Sequence, residues 1–112
     1  MYYITKRLEV SASHRLCLDY ESKCTALHGH NWIITVHCRA RELNHNGMVT
    51  DFTHIKNNVM ERLDHANLNE VVDFNPTAEN LARWICDNVE NCWRVDVMES
   101  EGNTASYVRD ED

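Results

Sequence analysis

Apolar and polar positions along the chain follow two periods. Residues 2–10 alternate and carry Tyr, Ile, Thr and Val, the pattern of a strand with one buried face. Residues 30–40, His-Asn-Trp-Ile-Ile-Thr-Val-His-Cys-Arg-Ala, alternate more strongly. Trp32, Ile34, Val36 and Cys38 share one face of that strand, and Ile33, Thr35 and His37 the other. The same parity puts His30 on the Trp32 side. Residues 11–29 show no apolar period and are expected to form a long loop, which in a compact domain usually serves function. Asn46-Gly47 marks a turn. Asp51 then caps a helix over about 52–64, with Phe52, Ile55, Val59 and Leu63 on one stripe. Leu63–Asn69 ends that helix and turns. Pro76-Thr77-Ala78-Glu79 opens a second helix, with Thr77 as its N-cap and Leu81, Trp84, Ile85 and Val89 as its buried face. Residues 93–99 alternate as a third strand, and Gly102-Asn103 turns the chain into a fourth near 104–109.

The order strand, strand, helix, helix, strand, strand packs most simply as an α+β domain. One four-stranded antiparallel sheet carries both helices on one face. Ile33 is then left on the uncovered face, and the sheet keeps two open edges. Both problems vanish if copies join edge to edge and roll into a β-barrel, so a homo-oligomer is expected. A length of 112 residues suits a single domain, 1–112. No apolar run is long enough to span a bilayer. The N-terminal residues enter the first strand without an apolar leader. A cytoplasmic protein with no membrane partner is the expectation. The formal net charge of −7 argues against nucleic acid as a partner. The five cysteines are irregularly spaced with no Cys-x-x-Cys, so free and mostly buried thiols are expected, with Cys86 and Cys92 as packing residues and Cys38 as a strand residue.

Candidate chemistry gathers at Cys24-Thr25-Ala26-Leu27-His28-Gly29-His30. On extended backbone, His28 and His30 project to one side, where two imidazoles can hold one metal ion. His14 can complete a three-nitrogen site if its segment pairs with theirs. Three imidazoles with a fourth position open is the pattern of catalytic rather than structural zinc. Cys24 is either a fourth ligand that closes the site or a free thiol beside it, serving as base or nucleophile. The plainer alternatives are polar loop residues for His28 and His30, and a hydrogen-bonded strand-end residue for His14. His37, His45 and His54 gain no partner from the sequence and are expected to be structural.

Ser11–Leu16, Cys24–Trp32, Met48–Phe52, Leu63–Asn69, Pro76–Ala82 and the strand ending at Glu99 together resemble the 6-pyruvoyl-tetrahydropterin synthase family. Within it, the closest resemblance is to the 6-carboxy-tetrahydropterin synthases of the queuosine (7-deazaguanine) pathway. Each segment alone is weak; their occurrence in the family's order over nearly the whole chain is specific. The resemblance implies the T-fold, four antiparallel strands and two helices, with three subunits closing a barrel and two trimers stacking into a hexamer. It implies Zn2+ held by His14, His28 and His30, and a thiol base at Cys24. It also implies a second proton-handling pair, Asp64 and His65, and a pterin anchor at Glu99. Three residues separate Cys24 from His28, as in the queuosine enzymes; the mammalian pyruvoyl enzymes have a longer insert.

The implied reaction converts 7,8-dihydroneopterin triphosphate to 6-carboxy-5,6,7,8-tetrahydropterin, with loss of acetaldehyde and triphosphate. Alternatives on the same scaffold are 6-pyruvoyl-tetrahydropterin synthesis and aldolase cleavage of the side chain. An alternative of another class is a non-catalytic pterin- or metal-binding oligomer. Locally, Asp64 can also be read as a surface residue at a helix end, His65 as a cationic cap of that end, and Glu99 as a solvated charge.

Overall fold

A computed structural model of the chain describes residues 1–110. In chain order the elements are β1 (Tyr2–His14), a 3-10 turn (Lys23–Thr25), β2 (His28–Ala40), α1 (Phe52–Leu63), β3 (Ala66–Asn67), α2 (Leu68–Val71), α3 (Ala78–Asn88), β4 (Cys92–Ser100) and β5 (Asn103–Val108). The strands form one sheet in the order β3-β1-β2-β4-β5. All neighbours are antiparallel except β3, which runs parallel to β1 through Ala12↔Ala66 and Ser13↔Asn67. The expected four-stranded antiparallel sheet with two helices is therefore a five-stranded mixed sheet with three. Both additions lie in residues 66–71 and are too short to show a period.

Residue alternation decides which face is buried. The register aligns Leu8 with Ile34 and Val10 with Trp32, and then Ile34 with Val97 and Val36 with Val95. These residues and Cys38 make one continuous inner face. α1 packs Ile55, Val59 and Leu63 into the same core, and α3 packs Leu81, Ala82, Ile85 and Cys86. Phe52, expected on the buried stripe, is instead 49% exposed in the first turn of α1. Both long helices start at the expected caps. The Asp51 carboxylate accepts from Thr53 N at 2.8 Å, and Thr77 Oγ1 accepts from Asn80 N at 3.1 Å. Either bond satisfies an amide that the first helical turn cannot pair. Cys38, Cys86 and Cys92 are buried free thiols, whereas Cys17 is exposed and Cys24 half-buried. Among the described residues, no helix is long and apolar enough to cross a membrane.

Among the described residues, the opposite sheet face carries no helix and is largely polar. His37 Nε2 lies 2.7 Å from Asp96 Oδ2, and Arg94 and Ser106 donate to Asp96 Oδ1. His37 thus has a partner that the sequence did not reveal. Burial pushes the Asp96 carboxyl up, but the bonds from Ser106, His37 and Arg94 outweigh it and leave the group below its ordinary value.

The main difference from expectation is the extent of β1 and β2. Ser11–His14 and His28–Gly29 are not loop; they are strand, Ser11–His14 pairing with His28–Asn31, and they extend both strands. Their inner-face positions are Ala12, His14, His28 and His30 rather than aliphatic residues, so the apolar alternation fades where the strands continue. The loop between them shrinks to residues 15–27.

Burial predicts a sharp contrast between neighbours on α1. Ile55 is 2% exposed and Lys56 points to solvent. Ile55→Ala is expected to lower unfolding free energy by about 2–5 kcal/mol. Lys56→Ala is expected to change it by no more than about 0.5 kcal/mol. Urea midpoints at unchanged slope are the check.

Candidate metal centre and its surroundings

Strand register assembles the three histidines. His14 lies directly opposite His28 in the β1–β2 ladder, and His30 follows two residues on, on the same face. Their ring centroids are 4.6 Å (His14–His28), 4.8 Å (His28–His30) and 5.3 Å (His14–His30) apart, each pair edge to face. One nitrogen from each ring lies within 4.8 Å of the others, and the three form a group that can hold a metal. Trp32 underlies the cluster. Its ring stands edge-on to His14 at 4.8 Å and to His30 at 5.4 Å, and its Nε1 donates to the Ala12 carbonyl.

Backbone carbonyls set the tautomers. His14 Nδ1 is 2.8 Å from the carbonyl oxygen of Pro76, and His28 Nδ1 is 2.7 Å from that of Ala26. A carbonyl can only accept, so in both rings Nδ1 carries the hydrogen and Nε2 the free lone pair. Such outer bonds orient metal-binding histidines. Burial lowers the basicity of the His14 ring, against the opposing effects of the Pro76 bond and the Glu99 carboxylate, so the neutral form a metal requires is favoured. His14 Nε2 and His30 Nε2 are buried with no hydrogen-bond partner. Orphaned buried nitrogens are costly. A cation held between them removes that cost, so the residues present fit a metal.

Glu99 ends the inner-face row of β4. Its Oε1 lies 3.4 Å from His30 Nε2 and its Oε2 3.9 Å from His14 Nε2, near enough for an ion pair. The sequence located Glu99 at a strand end but not against two of the imidazoles, because that contact depends on the β2–β4 register.

Cys24 sits in the 3-10 turn Lys23–Thr25. Its N–H is bonded to Ser22 Oγ at 3.1 Å, and its carbonyl accepts from Leu16 N at 2.8 Å. Its sulfur is not part of the nitrogen cluster. Asp64 and His65 occupy another place, at the β1 edge. Asp64 ends α1, and its Oδ1 accepts from Ser11 N at 3.0 Å. His65 has φ 59°, in the left-handed region, and its N–H donates to the Ser11 carbonyl at 2.6 Å. That turn brings Ala66–Asn67 alongside β1. His65 Nε2 is 3.6 Å from Asp64 Oδ2, and its side chain is 83% exposed. It lines an open groove of about 890 Å³ whose sheet wall includes Ser11, Ser13, Gly29 and Asn31 and also His30 of the cluster. Among the described residues, no hydrogen bond or ion pair joins Cys24 to Asp64, His65 or the three imidazoles. Among the described residues, one chain thus gathers His14, His28, His30 and Glu99; no hydrogen bond ties Cys24 to them, and His65 shares a groove with His30.

An α+β domain whose inner sheet face ends in three converging imidazoles is a scaffold able to hold a metal with a coordination position to spare. The chain belongs to the 6-pyruvoyl tetrahydropterin synthase family, whose model matches residues 3–110. It is 32% identical over 121 residues to a 6-carboxy-5,6,7,8-tetrahydropterin synthase from Synechocystis, covering 96% of this chain and 93% of that protein. A Pyrococcus horikoshii protein that carries the same name provisionally is 44% identical over 70 residues; the match takes in 58% of this chain and only 43% of that one. Among solved structures, the 6-pyruvoyl tetrahydropterin synthase of Caenorhabditis elegans superposes with a TM-score of 0.77 at 26% identity, covering 97% of this chain and 96% of that one.

Loss of one imidazole is expected to empty the centre. His28→Ala should retain less than about a tenth of the metal bound by the unaltered protein, since a second-sphere change alone costs about 10- to 100-fold in affinity. Metal analysis of the dialysed proteins, with circular dichroism to confirm folding, is the check. Full retention of metal by the folded variant would exclude His28 as a ligand.

Proposed function

We propose that the chain is a zinc-dependent lyase. It converts 7,8-dihydroneopterin triphosphate and water to 6-carboxy-5,6,7,8-tetrahydropterin, acetaldehyde and triphosphate, as a cytoplasmic step of queuosine (7-deazaguanine) synthesis. The observation that carries the proposal is the pair of buried Nε2 atoms of His14 and His30 that have no hydrogen-bond partner, beside His28, in a chain whose relatives include named 6-carboxy-tetrahydropterin synthases. His14, His28 and His30 would hold the zinc, which would supply a Lewis acid to stabilise negative charge developing on the substrate.

The remaining roles fall to protein groups. The Cys24 thiolate takes the carbon-bound proton, a task for which its independence from the imidazole cluster is required. Asp64 and His65 return protons on another side of the substrate, with the carboxylate 3.6 Å from the ring as its orienting partner. Glu99 offers two acceptor oxygens to the pterin ring's N–H and amino groups, a planar bidentate match. In this role it turns from the imidazoles toward the ring.

Homo-oligomerisation, as a dimer of trimers, completes the proposal. β3 covers the outer edge of β1 only at Ala12 and Ser13, and β5 is the other edge of the sheet. Pairing of these edges between copies satisfies their unpaired backbone groups. It also offers a route for Cys24 of one copy to approach the Asp64–His65 pair of the next.

The test is incubation with 7,8-dihydroneopterin triphosphate, with and without a chelator, and mass analysis of the products. A chelator-sensitive yield of 6-carboxy-tetrahydropterin is expected. A pyruvoyl product would assign the chain to the other branch, and no turnover by metal-loaded protein would favour a binding role. Cys24→Ala is expected to lower kcat by about 10²- to 10⁴-fold, and wild-type turnover in that variant would remove the thiol from the mechanism. Glu99→Gln is expected to raise KM without loss of metal.

A further inference from the structure

β1 ends at His14, but the chain does not leave the sheet's line there. Backbone groups of Arg15-Leu16-Cys17 still need partners, and two asparagines from distant segments supply them. Asn69 Oδ1 accepts from Arg15 N at 2.8 Å, and Asn69 Nδ2 donates to the Arg15 carbonyl at 3.0 Å. Asn75 repeats the arrangement on Cys17, accepting from its N–H at 2.9 Å and donating to its carbonyl at 3.1 Å. A primary amide presents the same donor and acceptor as a peptide group. Residues 15 and 17 are spaced as alternate residues that exchange both bonds with an antiparallel neighbour. The two side chains therefore stand in for a strand beside β1's continuation.

The intervening residue faces the other way. Leu16 N donates to the Cys24 carbonyl at 2.8 Å. Arg15–Cys17 is thus gripped on one side by two asparagines and tied on the other to the turn that carries the thiol. The asparagines are themselves fixed. Asn69 lies in the first turn of α2, where its N–H is capped by Asn67 Oδ1. The Asn75 carbonyl accepts from Asn80 Nδ2 at 3.0 Å and Thr77 N at 2.8 Å at the start of α3. The next residue, Pro76, holds His14 through its carbonyl. One short segment ahead of α3 therefore bonds both to an imidazole and to the strand that positions Cys24.

We infer that Asn69 and Asn75 are positioning residues for Cys24, holding its turn at a fixed distance from the imidazole cluster by extending β1 past His14. The catalytic meaning of this clamp rests on the lyase proposal; the clamp itself does not.

The test uses Asn69→Ala and Asn75→Ala in the full-length, zinc-loaded protein, with Asn69→Asp and Asn75→Asp as conservative variants that keep the acceptor and lose the donor. Four quantities are read: zinc content, amide hydrogen exchange over residues 15–17, the rate of Cys24 alkylation by iodoacetamide, and kcat and KM. The alanine variants are expected to keep their zinc while exchange of the Arg15 and Cys17 amides accelerates about tenfold, the effect of one lost hydrogen bond. Cys24 alkylation should change by about threefold or more, and kcat should fall by about 10- to 100-fold with KM nearly constant, as for a misplaced reacting group. The aspartate variants should recover part of each loss, and they carry the test if an alanine variant does not fold. Unchanged exchange and alkylation would overturn the inference, as would loss of zinc in step with loss of activity. If the unaltered protein does not turn over the pterin, the lyase proposal fails by itself, and exchange and alkylation still decide the clamp.

Discussion

The antiparallel register of β1 against β2 is the constraint on which the rest depends. It places Leu8, Val10 and Ala12 opposite Ile34, Trp32 and His30, and with the same parity it places His14 opposite His28. One alternation thus makes the hydrophobic core along most of the hairpin and the three-imidazole cluster at its end. A slip of one residue would turn every one of these side chains to the other face. Core packing and the imidazole cluster are therefore protected by the same physical preference: the aliphatic rows of both strands cannot be exposed without also scattering the imidazoles.

The surroundings complete what register begins. Carbonyls of Ala26 and Pro76 choose the tautomer of two rings, Trp32 walls the cluster from below, and Glu99 lies beside it from β4. Each contact comes from a different part of the chain, so the centre forms only when the sheet and the start of α3 are both in place. Asp64 and His65 depend on the end of α1 and on the Ser11 backbone, whose pairing brings β3 against β1. Among the described residues, no hydrogen bond joins Cys24 to the Asp64–His65 pair within one chain.

Much of this was legible in the sequence wherever a side-chain period or a cap records it. Trp32, Ile34, Val36 and Cys38 announced their shared face, and Asp51 and Thr77 announced the starts of α1 and α3. His28-Gly29-His30 announced two imidazoles on one side. The strand ends were hidden because histidine and alanine replace aliphatic residues where β1 and β2 approach the site. β3 and α2 were hidden because two and four residues carry no measurable period. The Pro76 and Ala26 carbonyls leave no trace in residue identity, since every residue has one. Asn69 and Asn75 are ordinary polar residues in the sequence, and only the tertiary fold brings them to a segment more than fifty positions earlier.

The central claim is a metal held by three imidazole nitrogens, with the sulfur of Cys24 uncommitted. X-ray absorption at the zinc edge of the loaded protein tests it most directly. Three nitrogen scatterers at about 2.0–2.1 Å are expected, completed by oxygen and with no sulfur shell. A sulfur at about 2.3 Å would contradict it, because a thiolate bound to the ion closes the site and removes the base.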